Sequence, residues 1–179
     1  SALIGGILFG GFTASAALTV ARVHMQPERP TRAAVLAART PKRCAIVVNP
    51  TKIPDWAAFR RHVEVDCREN GWTPRFLETS PDDPGRGMTR AALKAGVDLV
   101  MVAGGDGTVR VVCSELAGTG VPLGLLPSGT GNLLARNLGI PLDESEALRV
   151  VLRGRRDAID LIEVLIDDAE RPEHIAVMA

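Results

Sequence analysis

The chain has 179 residues, 46% of them hydrophobic, which suffices for one core of ordinary size and a fragment of a second. Lysine plus arginine and aspartate plus glutamate both number 21, so no overall field draws the protein to nucleic acid, and 3% aromatics with no tyrosine offer few stacking platforms for single strands. Three widely spaced cysteines, Cys44, Cys67 and Cys113, sit among apolar neighbours without a CxxC pair, so buried, reduced thiols in an intracellular setting are expected rather than a disulfide framework.

Taken in chain order, residues 2–21 carry no charge. About twenty apolar residues span a hydrocarbon core of roughly 30 Å, so a transmembrane helix is expected over 1–23, with a buried helix of a soluble core as the alternative. The basic residues come after the run: Arg22, Arg29, Arg32, Arg39, Lys42 and Arg43 against the single acid Glu28. The positive-inside bias then predicts a membrane-anchored protein with the remainder of the chain on the cytoplasmic side. Gly6 and Gly10 form a GxxxG that could pack against another helix, and a homodimer is among the expected assemblies. Residues 24–43, with Pro27, Pro30 and Pro41, read as a basic linker, either a solvated spacer or one with a short helix over 33–39 on anionic headgroups.

From Cys44 onward apolar β-rich runs alternate with helical patterns. Strands are predicted over 45–48, 74–77, 99–103 and 121–126, and helices over 55–70, 86–95 and 108–116. In the first helix Trp56, Phe59, Val63 and Cys67 recur at helical spacing, Asp55 can cap the start and Gly71 ends it. A helix from Asp143 to about 152 starts with a capping-box-like Glu146. The alternation predicts an α/β fold with a parallel sheet over 44–156. Segments 158–166 and 174–178 look like an antiparallel pair, so 157–179 is expected to begin a β-rich second domain. Together with Ser1 at the start and an apolar end, this suggests an excised piece of something longer.

Chemistry concentrates at the strand ends. Gly104-Gly105-Asp106-Gly107-Thr108 follows one strand and opens a helix. Glycines there permit positive φ and bare backbone, so N–H groups can approach phosphate oxygens at the positive end of the helix. Asp106 repels phosphate by itself, which assigns it to metal-linked phosphate or ribose contacts. Pro127-Ser128-Gly129-Thr130-Gly131-Asn132 repeats the arrangement before a helix over 133–137, where Thr130 can meet a phosphate and Asn132 can tie the two loops together; an ordinary helix cap is the alternative. Two glycine loops on one carboxyl edge of a parallel sheet mark a ligand crevice. The same edge should carry Asn49-Pro50-Thr51-Lys52, with Lys52 either a phosphate contact or a solvated charge, and Glu78-Thr79-Ser80, with Thr79 either a nucleotide contact or a turn residue. No GxxxxGK[ST], no GxGxxG after the first strand and no GxSxG occurs, and His24, His62 and His174 never pair with cysteine or acids at metal-ligand spacing.

Read together, VVNPT, GGDGT and LPSGTGNLLARNLGIP resemble the catalytic domain of the diacylglycerol and sphingosine kinase family, over about 44–164. The paired loops are shared with the wider fold of NAD kinases and phosphofructokinases, and Gly129 to Leu133 with Arg136-Asn137 points to the lipid branch. The resemblance implies an ATP- and Mg²⁺-dependent lipid kinase, with a membrane lipid such as diacylglycerol as acceptor. It also implies ATP contacts from Asn49, Pro50, Thr51, Lys52, Thr79, Gly104, Gly105, Asp106, Gly107, Thr108, Val109, Arg110, Ser128, Gly129, Thr130 and Asn132. Asp106 is the expected catalytic residue within the chain, no metal is expected to be held by the protein's own side chains, and Asp160 matches a family position near the domain junction. The family's catalytic acid is expected in the second domain, beyond residue 179. The first loop departs from the family, which often has Ser-Gly where this chain has Lys52-Ile53, and Asn or His where it has Arg110. Two other readings are a soluble-substrate kinase similar to NAD kinase and a non-catalytic nucleotide-sensing module.

Overall fold

The computed structural model describes residues 17–22, 41–164 and 173–176. Its strands are β1 (Ala17–Arg22), β2 (Lys42–Val48), β3 (Trp72–Glu78), β4 (Leu99–Gly104), β5 (Leu123–Pro127), β6 (Arg155–Val164) and β7 (Glu173–Ala176). Its helices are α1 (Trp56–Glu69), α2 (Arg86–Lys94), α3 (Asp106–Leu116), α4 (Leu133–Asn137) and α5 (Glu144–Arg153). The strands form one sheet in the order β3-β2-β4-β5-β1-β6-β7. β1 to β5 pair in parallel, and β6 pairs antiparallel with both β1 and β7.

The parallel register is continuous across the strands that matter for the site. Val48 lies beside Glu78 on one side and Ala103 on the other, and Gly104 lies beside Pro127, so β2, β3, β4 and β5 end together at one edge. Strands β2 and β4 are buried along nearly their whole length, because helices cover both faces. Right-handed crossovers leaving β2 in one direction and β3 and β4 in the other put α1 on one face and α2 with α3 on the opposite one.

Each helix pair is tied by a polar side-chain contact as well as by packing. α1 meets α5 through His62 Nδ1 and Glu144 Oε1 at 3.0 Å, while α2 meets α3 through Arg90 Nε and Glu115 Oε2 at 2.7 Å. The core centres on Ile46, Met101, Leu116, Leu123, Leu126 and Leu148, all essentially inaccessible. Trp56 stacks on Phe59 and meets Phe76 edge-on, closing the end of the core beneath α1. Cys44, Cys67 and Cys113 are free and buried, as their apolar neighbours led one to expect.

The N-terminal expectation is corrected in part. Residues 17–22 are a strand, paired from Ala17↔Asp160 to Arg22↔Arg155, so no helix runs over 2–21 as a unit; the rest of that segment lies outside the described residues. β-branched Thr19 and Val20 suit an extended chain, and a slot between β5 and β6 satisfies its backbone on both sides. No helix among the described residues is long and apolar enough to cross a membrane. Lys42 and Arg43, read as linker, open β2; the expected short helix over 33–39 lies outside the described residues. Elsewhere the predicted elements shift by a few residues at most, and the antiparallel pairing expected near the end is that of β6 with β7, Leu161↔Ala176 to Val164↔Glu173.

Candidate functional site

Three loops are laid against one another where the parallel strands end. The Asn49 amide donates to Ala103 O and the Thr79 amide to Val48 O, each at 2.8 Å, extending the sheet ladder by one rung into the loops. Asn49 then folds its own turn: its Oδ1 accepts from the Thr51 amide at 3.1 Å and from the Thr51 hydroxyl at 2.7 Å, shaping the 3₁₀ turn Pro50–Lys52. Lys52 is exposed at its tip, and Thr79 is half-buried at the start of the next loop.

Helix α3 begins two residues earlier than the sequence suggests, at Asp106, and its start is built to stay open. At Gly104 a Cβ would stand 3.0 Å from Thr108 Cβ, so a larger residue there presses on the Thr108 side chain. Gly105 is the cap residue and supplies no side chain, so among the described residues no side chain accepts from the first-turn amides of this eleven-residue helix. The other long helices differ. Asp55 caps α1 through the Ala58 amide, Asp143 caps α5 through the Glu146 amide, and Asp83 holds the Gly85 and Gly87 amides at the start of α2. Burial opposes charge on Asp83, but those amides, the Arg86 amide and the Arg86 guanidinium together hold its carboxyl below the usual range.

The second glycine loop is closed by its own asparagine. Asn132 adopts the left-handed conformation (φ 51°), and its side chain takes the Gly129 amide on Oδ1 at 2.9 Å while donating from Nδ2 to Gly129 O at 2.7 Å. The Ser128 hydroxyl donates back to Leu126 O at 3.0 Å, and Thr130 is exposed at the loop's tip. A Cβ on Gly129 would lie 2.6 Å from Gly105 Cα, so the two loops touch backbone to backbone. A Cβ on Gly131 would lie 2.5 Å from Asp106 Oδ2.

The tie between the loops is Asp106 and not, as the sequence suggests, Asn132. Asp106 Oδ1 accepts the Leu133 amide at 2.8 Å, capping α4 from across the crevice while leaving α3's own amides open. Thr108 and Val109 retain 5% and 8% exposure, so what they offer a ligand is main chain; their side chains belong to the core. Gly105, Asp106, Gly107, Ser128, Gly129, Thr130 and Asn132 are thus assembled in one crevice, with Asn49, Thr51 and Thr79 on the adjoining strand ends. Sequence reasoning left Arg136 out of the site. Its Nε donates to Gly131 O at 2.8 Å, and the available signal was a basic residue one turn into the helix that the second loop opens. Among the described residues no group of three or more histidines, cysteines or acids is placed to hold a metal ion.

The family profile for the diacylglycerol kinase catalytic domain matches residues 43–164, more than half of the chain. The chain belongs to this family. A diacylglycerol kinase from Mycobacterium tuberculosis is 46% identical over 77 residues, which cover 42% of this chain and 25% of that protein. A probable lipid kinase YegS from Shigella flexneri is 38% identical over 101 residues, covering 54% of this chain and 34% of the relative. Among solved structures, a diacylglycerol kinase from Bacillus anthracis superposes with a TM-score of 0.52 at 27% identity, over 62% of this chain and 43% of that one. The chain therefore spans about a quarter to a third of the curated relatives' length. The resemblance read from GGDGT and LPSGTGNLLARNLGIP is borne out, and the two glycine loops that carry it touch at Gly105 and Gly129.

Proposed function

We propose that this chain carries the nucleotide-binding half of an ATP-dependent lipid kinase that transfers the γ-phosphate to a lipid hydroxyl such as that of diacylglycerol. The observation that carries this reading is the bare N-terminus of α3 facing a second glycine loop at main-chain contact, Gly105 against Gly129. Phosphoryl transfer is largely positioning and neutralisation of phosphate charge, and a cradle of amides supplies both without reorganising. The amides of Gly105, Gly107 and Thr108 would take phosphate oxygens, Thr130 would add a hydroxyl, and Asn49, Thr51 and Thr79 would approach the rest of the nucleotide.

A magnesium ion fits this donor set in one way. With no cluster of three acids among the described residues and one oxygen of Asp106 already engaged by the Leu133 amide, the ion would arrive on the phosphates and meet at most a single carboxylate. When bound it would neutralise phosphate charge. The group that takes the acceptor's proton we assign to a β-rich second domain that comes after β6. Membrane attachment of the full-length protein, with the crevice on the cytoplasmic side, belongs to the same proposal and is tested by flotation with phospholipid vesicles.

The deciding measurement is transfer of radiolabel from ATP with Mg²⁺ to a panel of membrane lipids and to NAD, using the full-length protein and Asp106→Ala. Label in a lipid, lost in the variant, is the expected result. Label in NAD alone would replace the lipid kinase by a soluble-substrate kinase, and ATP binding with no acceptor labelled would leave a nucleotide sensor.

A further inference from the structure

We infer that Arg136 is a phosphate-binding residue that grips the terminal phosphates of the nucleotide from the second glycine loop. The inference rests on the nucleotide reading of the crevice and adds to it a side chain that the loop motifs do not include.

Arg136 is exposed, yet it is not a free solvated charge. Its Nε donates to Gly131 O at 2.8 Å, which fixes the guanidinium to the loop itself. Gly131 in turn lies against the Asp106 carboxylate and Asp106 holds Leu133, so the guanidinium stands on the same small framework that joins the two glycine loops. Anchoring through Nε leaves both terminal amino groups, a planar fork of four N–H donors, and no described residue accepts from them or forms an ion pair with Arg136. By contrast, Arg68 spends a terminal amino group on Glu64, and Arg86 and Arg90 spend theirs on Glu115, while Arg153 is held to Asn70 through Nε alone.

The neighbourhood is short of acceptors. The first-turn amides of α3 have no side-chain cap, and one of Asp106's two oxygens already serves the Leu133 amide. Amides without a side-chain cap thus face a crevice that a guanidinium has been fixed beside. An anion with several oxygens matches these donors, and a forked donor suits two oxygens of one phosphate. A nucleoside triphosphate laid along α3's amides brings its far phosphates to such a donor, so the contact should grow with the number of phosphates.

The test is calorimetric binding of adenosine, AMP, ADP and ATP to the full-length protein, to Arg136→Ala and to Arg136→Lys, with thermal melts of each. The expected result is unchanged adenosine binding, a loss that rises along the series to about ten- to a hundredfold for ATP in Arg136→Ala, and partial rescue by Arg136→Lys. An equal loss for all four ligands would make Arg136 a brace of the loop and overturn the inference, as would no loss for ATP. Arg136→Lys, which keeps the charge, covers the case in which the alanine variant melts early. If the unaltered protein binds none of the four, the nucleotide reading itself fails and this inference with it.

Discussion

Asp106 illustrates how a motif residue can be found from the sequence while one of its contacts stays hidden. Its place in GGDGT is plain from the sequence, but the amide it holds belongs to Leu133, far along the chain, and only the backbone contact of Gly105 with Gly129 makes that bond available. An amide acceptor at this position is needed whatever its charge. Asp106→Asn should therefore keep the melting temperature close to that of the unaltered protein, whereas Asp106→Ala should lose roughly 0.5–2 kcal/mol, the usual cost of a missing helix cap. Parallel denaturant titrations check this, and phosphate transfer in Asp106→Asn shows whether the charge matters beyond the cap. Gly129 makes the complementary point. A methyl group there must displace main chain, so Gly129→Ala should weaken ATP binding at least about tenfold at a stability cost of about 1–3 kcal/mol; unchanged calorimetric affinity would mean that the loops need not touch.

At the scale of elements, the strand-to-helix alternation was most legible where a helix carries its own start signal. Asp55 and Asp143 are both visible in the sequence and both cap as expected. Asp83 was not singled out, since the amides that donate to it, those of Gly85 and Gly87, lie past a proline in a turn. Its carboxyl is held below the ordinary 3.8, so the stabilisation is fully present above that value and is lost below it, as pH falls through the lower folded-state pKa. Asp83→Ala should lower stability by about 1 kcal/mol at neutral pH and flatten the acid limb of a stability–pH curve. Cys113, in the middle of α3, acts in the opposite range. Burial pushes its thiol from 9.0 up to about 12, so the unfolded chain ionises first and stability falls as pH climbs between those values. Cys113→Ala should show a shallower decline over that interval in urea titrations at stepped pH.

For the molecule as a whole, the parallel layer and its ligand edge could be anticipated, and the place of the N-terminal segment could not. An uncharged run of twenty residues satisfies the length rule for a membrane helix. What overrides that rule for residues 17–22 is a strand partner more than a hundred residues away, which periodicity cannot reveal. With β1 lying between β5 and β6, a proline within it removes a ladder donor that has a partner. Val20→Pro should destabilise the domain by about 1–3 kcal/mol. A helix separate from the sheet would leave its melting untouched, and differential scanning calorimetry distinguishes the two.

The Leu133 amide reports on the crevice from within. Its exchange with solvent is slowed by the hydrogen bond to the Asp106 carboxylate, which joins one glycine loop to the other. Its exchange rate in deuterium therefore reports how often that bond opens, and its nitrogen resonance registers any change at the carboxylate when an anion enters the crevice. A single backbone position thus serves as a gauge of occupancy that needs no added label.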